Sequence, residues 1–197
     1  FIGSHTADLL LARGHTVRVL DALEPPVHRD RQKPDYVPAD IDFQVGDVRD
    51  RGAWEKALDG VDAVFHLAAY QDYLPDFSTF FHVNSVSTAL IYEIAVAKNL
   101  PIKKIIVASS QFVNGEGIYK DKNGNFIYPK RRTNLQLEKG EWDFKDNDGD
   151  KLEYIWTPET YACPPNQYAI SKYSQELMAL NFGERYNIPS VAMRYSI

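Results

Sequence analysis

Hydrophobic and polar positions along the chain alternate between helical and strand-like spacing. Ile2 to Arg13 carries Ile2, Leu9, Leu10 and Leu11 in a helical pattern that Gly14 stops, and His15 to Leu20 is a short β-rich run ending at Asp21. Ala22 to Asp40 is proline-rich and charged and reads as a surface loop. A strand over Ile41 to Gly46 follows, then a helix through Trp54 and Leu58 that Asp50 can cap and Gly60 can end. Val61 to Leu67 is a buried strand running into Ala68 and Ala69. From Pro75 to Asn99 the pattern is helical, and Ile105 to Ala108 is a fully apolar strand ending at Ser109 and Ser110. A long helix from about Gln167 to Tyr186, with Leu177, Met178, Leu180 and Phe182 as its apolar side, leads through Asn187-Ile188-Pro189 into a strand from Ser190. Strands alternating with helices imply an α/β fold with a doubly wound parallel sheet and helices on both faces.

Residues 116–160 break this rhythm. They are rich in Gly, Asp, Asn and Lys, with Tyr and Trp interspersed. Lys120-Asp121-Lys122-Asn123-Gly124-Asn125 is echoed 25 residues later by Lys145-Asp146-Asn147-Asp148-Gly149-Asp150, and each copy reads as a tight turn. The segment is expected to be a small β-rich insertion with two similar knuckles, set within one domain over 1–197. A calcium loop at Asp146 to Asp150 is disfavoured, because Phe144 stands at the first ligand position and no acid closes the loop.

Composition narrows the function classes. The chain of 197 residues is 44% hydrophobic and 25% charged, with net charge −5 and no basic run, which argues against a nucleic-acid partner. The single cysteine, Cys163, can form no disulfide within the chain and fits a reducing, cytoplasmic location. Five scattered histidines lack metal-ligand spacing, so no metal is expected, and no apolar run approaches the length of a membrane span. The chain opens at Phe1 inside a helical pattern and closes on a strand, so it is expected to be part of a longer protein.

Two constellations carry chemistry. Tyr168 and Lys172 are four residues apart in the long helix and so share one face. An ammonium beside a phenol favours the phenolate, and such a pair can move protons on and off a substrate hydroxyl. Alone, the pair is equally an exposed Tyr and Lys on an amphipathic helix. The second constellation is the helix, glycine stop and acid-ended strand at the start. In a dinucleotide-binding unit Asp21 would accept the adenosine ribose hydroxyls, and Gly3 would be the last glycine of a phosphate loop.

Taken in order, these residues resemble the extended short-chain dehydrogenase/reductase proteins, specifically the NAD-dependent epimerase/dehydratase group. Phe1-Ile2-Gly3-Ser4-His5 resembles the end of the glycine-rich loop and Asp21 the ribose acid. Asp47-Val48 resembles the adenine contact, and His66-Leu67-Ala68-Ala69 the segment lining the cofactor. Val83-Asn84 with Thr88 is similar to the helix asparagine motif, with Ser87 in place of a usual glycine. Ser109 to Gly115 resembles the active-site strand end, with Ser110 as the serine and Asn114 in place of a usual tyrosine, and Arg194 resembles the start of the next motif. The insertion is similar to knuckles that carry cysteines in some relatives, but here the thiolates are absent.

The resemblance implies a Rossmann-type domain lacking its first strand, NAD as cofactor and a nucleotide sugar as substrate. It assigns Ser110, Tyr168 and Lys172 as catalytic. For cofactor binding it assigns Gly3, Asp21, Asp47, Val48, Leu67, Ala68, Ala69 and Asn84, together with Tyr168 and Lys172. Epimerisation through a keto intermediate is the leading expectation. A dehydratase ranks lower because Gln111 and Phe112 stand where that subgroup has an acid pair, while a reductase, a decarboxylase or a non-catalytic binding protein remain alternatives. Helices 75–97 and 166–186 could pair two copies as a homodimer or be satisfied within one chain. Without the first strand, the strands at 15–20 and 61–66 lose their shared neighbour. The chain alone is then expected to be marginally stable and to bind NAD poorly by calorimetry; tight binding would overturn this.

Overall fold

The computed structural model describes residues 1–25 and 27–196. Pro26, inside the expected loop, and Ile197, at the end of the expected last strand, lie outside the described residues. Helix α1 (Ile2–Ala12) leads to β1 (Arg18–Asp21), which pairs in parallel with β2 (Asp42–Val45). Alternate side chains of β1 point to opposite faces. Val19 therefore packs with Leu10 and Leu11 of α1, while Leu20 packs into the main core. Helix α2 (Arg51–Ala57) covers that second face, and its first turn is capped by Asp50, whose carboxylate accepts from the Gly52 amide at 2.8 Å.

A second parallel sheet has the order β3 (Ala63–His66), β4 (Lys104–Ser110), β8 (Ser190–Tyr195). The main core lies between it and three helical segments: α2, α4 (Ser87–Ala97) and α6 (Gln167–Arg185). No ladder joins β1 to β3 among the described residues, so the parallel strands form two sheets. On the face of the second sheet away from these helices Phe65, Val191 and Met193 are exposed, so the coverage of both faces expected from the strand-helix alternation is seen at β1–β2 and not here.

The stretch from 77 to 97 is one continuous helix with an internal change of pitch. A turn of α-helix, α3 (Phe77–Phe80), opens into a π-helical segment at Phe81–Val86 and closes into α4. By length and composition this 21-residue helix could cross a membrane, which corrects the expectation that no apolar run is long enough. Here half of it is buried, with Phe80, Ile91 and Ile94 fully enclosed, as a core helix requires.

Helix α6 departs from its expected orientation. Leu177 and Leu180 are exposed, and the buried face is Ala169, Ser171, Lys172, Gln175, Glu176, Ala179 and Gly183. Small residues let the helix approach the sheet closely. A Cβ on Gly183 would stand 2.8 Å from the Ile188 carbonyl oxygen and 2.5 Å from Ser190 Oγ. The polar members of that face serve the network described below.

The insertion is a three-stranded antiparallel sheet of order β6 (Phe126–Ile127), β5 (Ile118–Lys120), β7 (Glu153–Ile155), with a short helix α5 (Asn134–Glu138). Its two knuckles are the same motif. Asp121 Oδ1 accepts from the amides of Asn123 and Asn125, and Asp146 Oδ1 from those of Asp148 and Asp150. In each, a glycine at positive φ closes the turn, Gly124 at +84° and Gly149 at +89°. Lys122 ties one knuckle to the other through Asp148 and Asp150, at 3.2 and 2.8 Å. No group of three His, Cys, Asp or Glu side chains among the described residues converges as a metal site would.

The insertion is rooted at Gly115, φ +60°, where a Cβ would collide with the Cys163 carbonyl oxygen. At Gly124, also at positive φ, nothing lies within 4 Å. Gly115→Ala should therefore cost more than about 2 kcal/mol in denaturant unfolding, and Gly124→Ala about 1 kcal/mol. Equal costs at the two glycines would show that the root is not packed as described.

Candidate active site

The C-terminal end of β4 delivers Ser109 and Ser110 to the edge of the core. Ser110 Oγ accepts from the Phe112 amide at 3.2 Å, which starts the 3-10 turn Gln111–Asn114. Opposite it, α6 begins at Asn166, whose side chain caps the Ala169 amide at 2.9 Å, so Tyr168 stands in the first turn. The Phe112 ring meets the Tyr168 ring edge-on at 6.2 Å between centroids. Burial pushes the Tyr168 phenol above its ordinary pKa, and the nearby Ser110 hydroxyl pulls it partly back. Ser110 and Tyr168 are thus brought together.

Lys172, one turn along α6, is 1% exposed. Its Nζ donates to Gln175 Oε1 at 2.6 Å, and burial lowers its pKa to about 7. This corrects the expectation that the ammonium depresses the phenol: Tyr168 is shifted upward, because its own desolvation outweighs everything else acting on it. A lysine titrating near 7 also carries only part of its charge at neutral pH.

Around Lys172 the interior is polar. Gln175 Nε2 donates to Thr88 Oγ1 at 2.9 Å, and Thr88 Oγ1 donates to the Asn84 carbonyl at 2.9 Å. Asn84 Nδ2 donates to Ser171 Oγ and to the Tyr70 carbonyl, while its Oδ1 accepts from the Tyr70 amide. Ser85 Oγ donates to the Ser171 carbonyl. These two consecutive residues, Asn84 and Ser85, lie in the π-helical turn and both reach α6. His66 at the end of β3 lies 2.7 Å from Ser87 Oγ. Since Ser87 donates its proton to the Val83 carbonyl, His66 Nε2 must be the donor. Burial, with the nearby Lys172 charge, lowers the His66 pKa to about 3.

The other predicted residues are more dispersed. Asp21 ends β1, accepts from the Leu23 amide at 2.7 Å and is half-exposed, with His28 Nε2 3.8 Å away. Asp47 is held by Arg49, whose hydrogen bond keeps its carboxyl below the ordinary range. Val48 is in the core, and its carbonyl accepts from Trp54 Nε1 at 2.7 Å. Leu67, Ala68 and Ala69 follow β3, with Ala69 exposed. Gly3 sits in the first turn of α1 with open space around it. Asn84 spends its side chain within the protein.

Two residues escaped sequence reasoning, Gln175 and Glu176. Glu176 forms a nearly buried pair with Arg194 at 2.6 Å and accepts from Ser109 Oγ at 2.8 Å. Arg194 also donates to Asn114 Oδ1 and to the Tyr161 carbonyl, binding both ends of the insertion to β8. The signal available was their spacing of three and four from Lys172, which puts them on its face.

The sequence profile of the NAD dependent epimerase/dehydratase family matches residues 1–133. The chain belongs to this family. A dTDP-L-rhamnose 4-epimerase of Burkholderia thailandensis is 30% identical over 181 residues, 89% of this chain and 49% of that protein. A mouse decarboxylating sterol-4-alpha-carboxylate 3-dehydrogenase is 32% identical over 129 residues, 66% of this chain and 32% of that protein. The crystal structure of a UDP-glucose 4-epimerase of Thermus thermophilus in complex with NAD superposes with a TM-score of 0.65 at 26% identity, covering 99% of this chain and 51% of that one. The fold is therefore of the Rossmann type found in this family, and the chain spans about half the length, or less, of these relatives.

The two depressed bases make stability depend on pH. Between pH 3 and 6.5 the unfolded chain binds a proton at His66 that the native state refuses, so stability falls as pH drops through that window. Between about 7 and 10.5 the same holds for Lys172, so stability rises with pH there. Each window should contribute up to about 1.4 kcal/mol per pH unit, and Lys172→Met should flatten the alkaline rise in denaturant unfolding. An unchanged rise in that variant would show that Lys172 is not its source.

Proposed function

We propose that the complete protein is an NAD-dependent nucleotide-sugar epimerase and that residues 1–197 are part of its NAD-binding domain, with 116–160 a flap beside the sugar site. The observation that carries this reading is the Tyr168 phenol in the neighbourhood of Ser110 at the end of a parallel strand, with Lys172 buried one turn behind on the same helix. The family description and the epimerases among its relatives supply the substrate class.

The residues present fit a dinucleotide. Asp21 offers a half-exposed carboxylate at the end of β1 for a ribose diol, and a carboxylate there would repel a 2′-phosphate, which favours NAD over NADP. Ala68 and Ala69 keep the end of β3 open for a flat group. NAD supplies a reversible acceptor for the hydrogen on the alcohol carbon. Tyr168 takes the hydroxyl proton of the sugar as its base and returns it on re-reduction. Ser110 donates a hydrogen bond to the same sugar oxygen and so favours the carbonyl as it forms. Lys172 supplies positive charge behind the phenol, the more so below pH 7.

A second reading, net oxidation with decarboxylation, is favoured by the sterol-carboxylate relative. Dehydration is less favoured, because neither Gln111 nor Phe112 can shuttle a proton. The apolar residues that α6 turns outward, Leu177 and Leu180, together with Val96 of α4, suit a homodimer through these helices.

In the complete protein, Tyr168→Phe should lower turnover of nucleotide sugars by at least about 100-fold. Wild-type turnover should proceed without net NADH formation, whereas oxidative decarboxylation would accumulate it. Undiminished turnover in the Tyr168→Phe variant would remove the catalytic assignment and favour a binding role.

A further inference from the structure

We infer that Gln175 is a positioning residue for the Lys172 side chain, and that Thr88 fixes which end of the Gln175 amide faces it. The inference deepens the proposed reaction and rests on Tyr168 and Lys172 working as a pair. Lys172, Gln175 and Thr88 are at most 1% exposed, so no solvent replaces any contact among them. The hydroxyl proton of Thr88 is committed to the Asn84 carbonyl, one turn back in the same helix. Thr88 Oγ1 can then only accept, and only the NH₂ end of Gln175 can satisfy it. That leaves Oε1 pointing at Lys172 Nζ, 2.6 Å away. A flipped amide would place NH₂ against an ammonium and leave two acceptors facing each other at Thr88.

What Gln175 does not bring is charge. The titratable groups nearby are His66 from β3, Tyr168 in the preceding turn and Glu176 beside Gln175. His66 is neutral at physiological pH, and Glu176 is turned to Ser109 and Arg194. Among the described residues no carboxylate comes within salt-bridge distance of Lys172. A neutral acceptor orients the ammonium without cancelling its charge, which a substrate oxyanion or phenolate formed during the proposed reaction would then meet. A carboxylate in the same place would orient it equally well and neutralise it. An amide is also a poor proton relay, so the chain of hydrogen bonds through Gln175 and Thr88 holds Lys172 without giving its proton a path into the core.

The test is the titration of Lys172 in the complete protein, followed by carbon NMR of labelled lysine and assigned with Lys172→Met. Gln175→Glu, nearly isosteric, should raise the Lys172 titration by about one pH unit or more. In the same variant the acid limb of the pH–kcat profile should move to higher pH and kcat at neutral pH should fall about tenfold, with KM for the nucleotide sugar little changed. Thr88→Val, which adds no charge, frees the amide and should lower the Lys172 titration, while Thr88→Ser should restore it. A Lys172 titration that is the same in Gln175→Glu as in the wild type, or in Thr88→Val as in the wild type, overturns the inference. If Tyr168→Phe leaves turnover intact while the Lys172 titration still moves in Gln175→Glu, the proposed reaction falls and the positioning of Lys172 stands.

Discussion

A lysine ammonium buried with a neutral amide for its partner is the constraint around which this interior is arranged. Removing such a charge from water costs several kcal/mol unless hydrogen bonds replace the lost hydration. Every buried polar or charged side chain among the described residues lies on β3, β4, the 84–88 stretch or α6, in the network around Lys172 or beside it. The remaining core, from Trp54 and Leu58 to Ile105 and Val107, is apolar. Polarity is thus concentrated at one end of the second sheet, where the phenol and the Ser110 hydroxyl also stand.

This concentration explains features that look irregular one at a time. The π-helical turn at Phe81–Val86 contains Asn84 and Ser85, which both bond to Ser171 of α6. Ser87, where a glycine would be usual, supplies the acceptor that lets His66 stay buried and neutral. The face of α6 with the most polar residues is the buried one, and its leucines look outward.

Much of this was legible in the sequence. The order of strands and helices followed from periodicity, the Asp50 cap from residue type at the helix start, and the two knuckles were visible as a repeat because both use the same aspartate-to-glycine turn chemistry. The orientation of α6 was not legible. Periodicity assumes that apolar residues face the core, and here the helix spends its core face on a polar network that only the partner residues Thr88, Asn84 and Arg194 reveal. The direction of the Tyr168 shift was likewise invisible, because helical spacing puts two groups on one face but does not say how deeply each is desolvated.

The contrast between the adjacent residues Gln175 and Glu176 shows how one helix treats two cations differently. Glu176 neutralises Arg194 with two hydrogen bonds, and that pair has a mechanical consequence: it fixes Asn114 and Tyr161, hence both roots of the insertion, against the end of β8. Gln175 holds Lys172 without neutralising it. An ion pair leaves neither partner with an uncompensated charge, whereas a neutral clamp fixes the position of a charge and leaves it uncompensated. Exchanging the two side chains would preserve helix propensity and volume yet place a neutralised lysine behind Tyr168 and an incompletely paired arginine beside the roots of the insertion. The order of amide and acid along α6 therefore decides which of the two cations is neutralised.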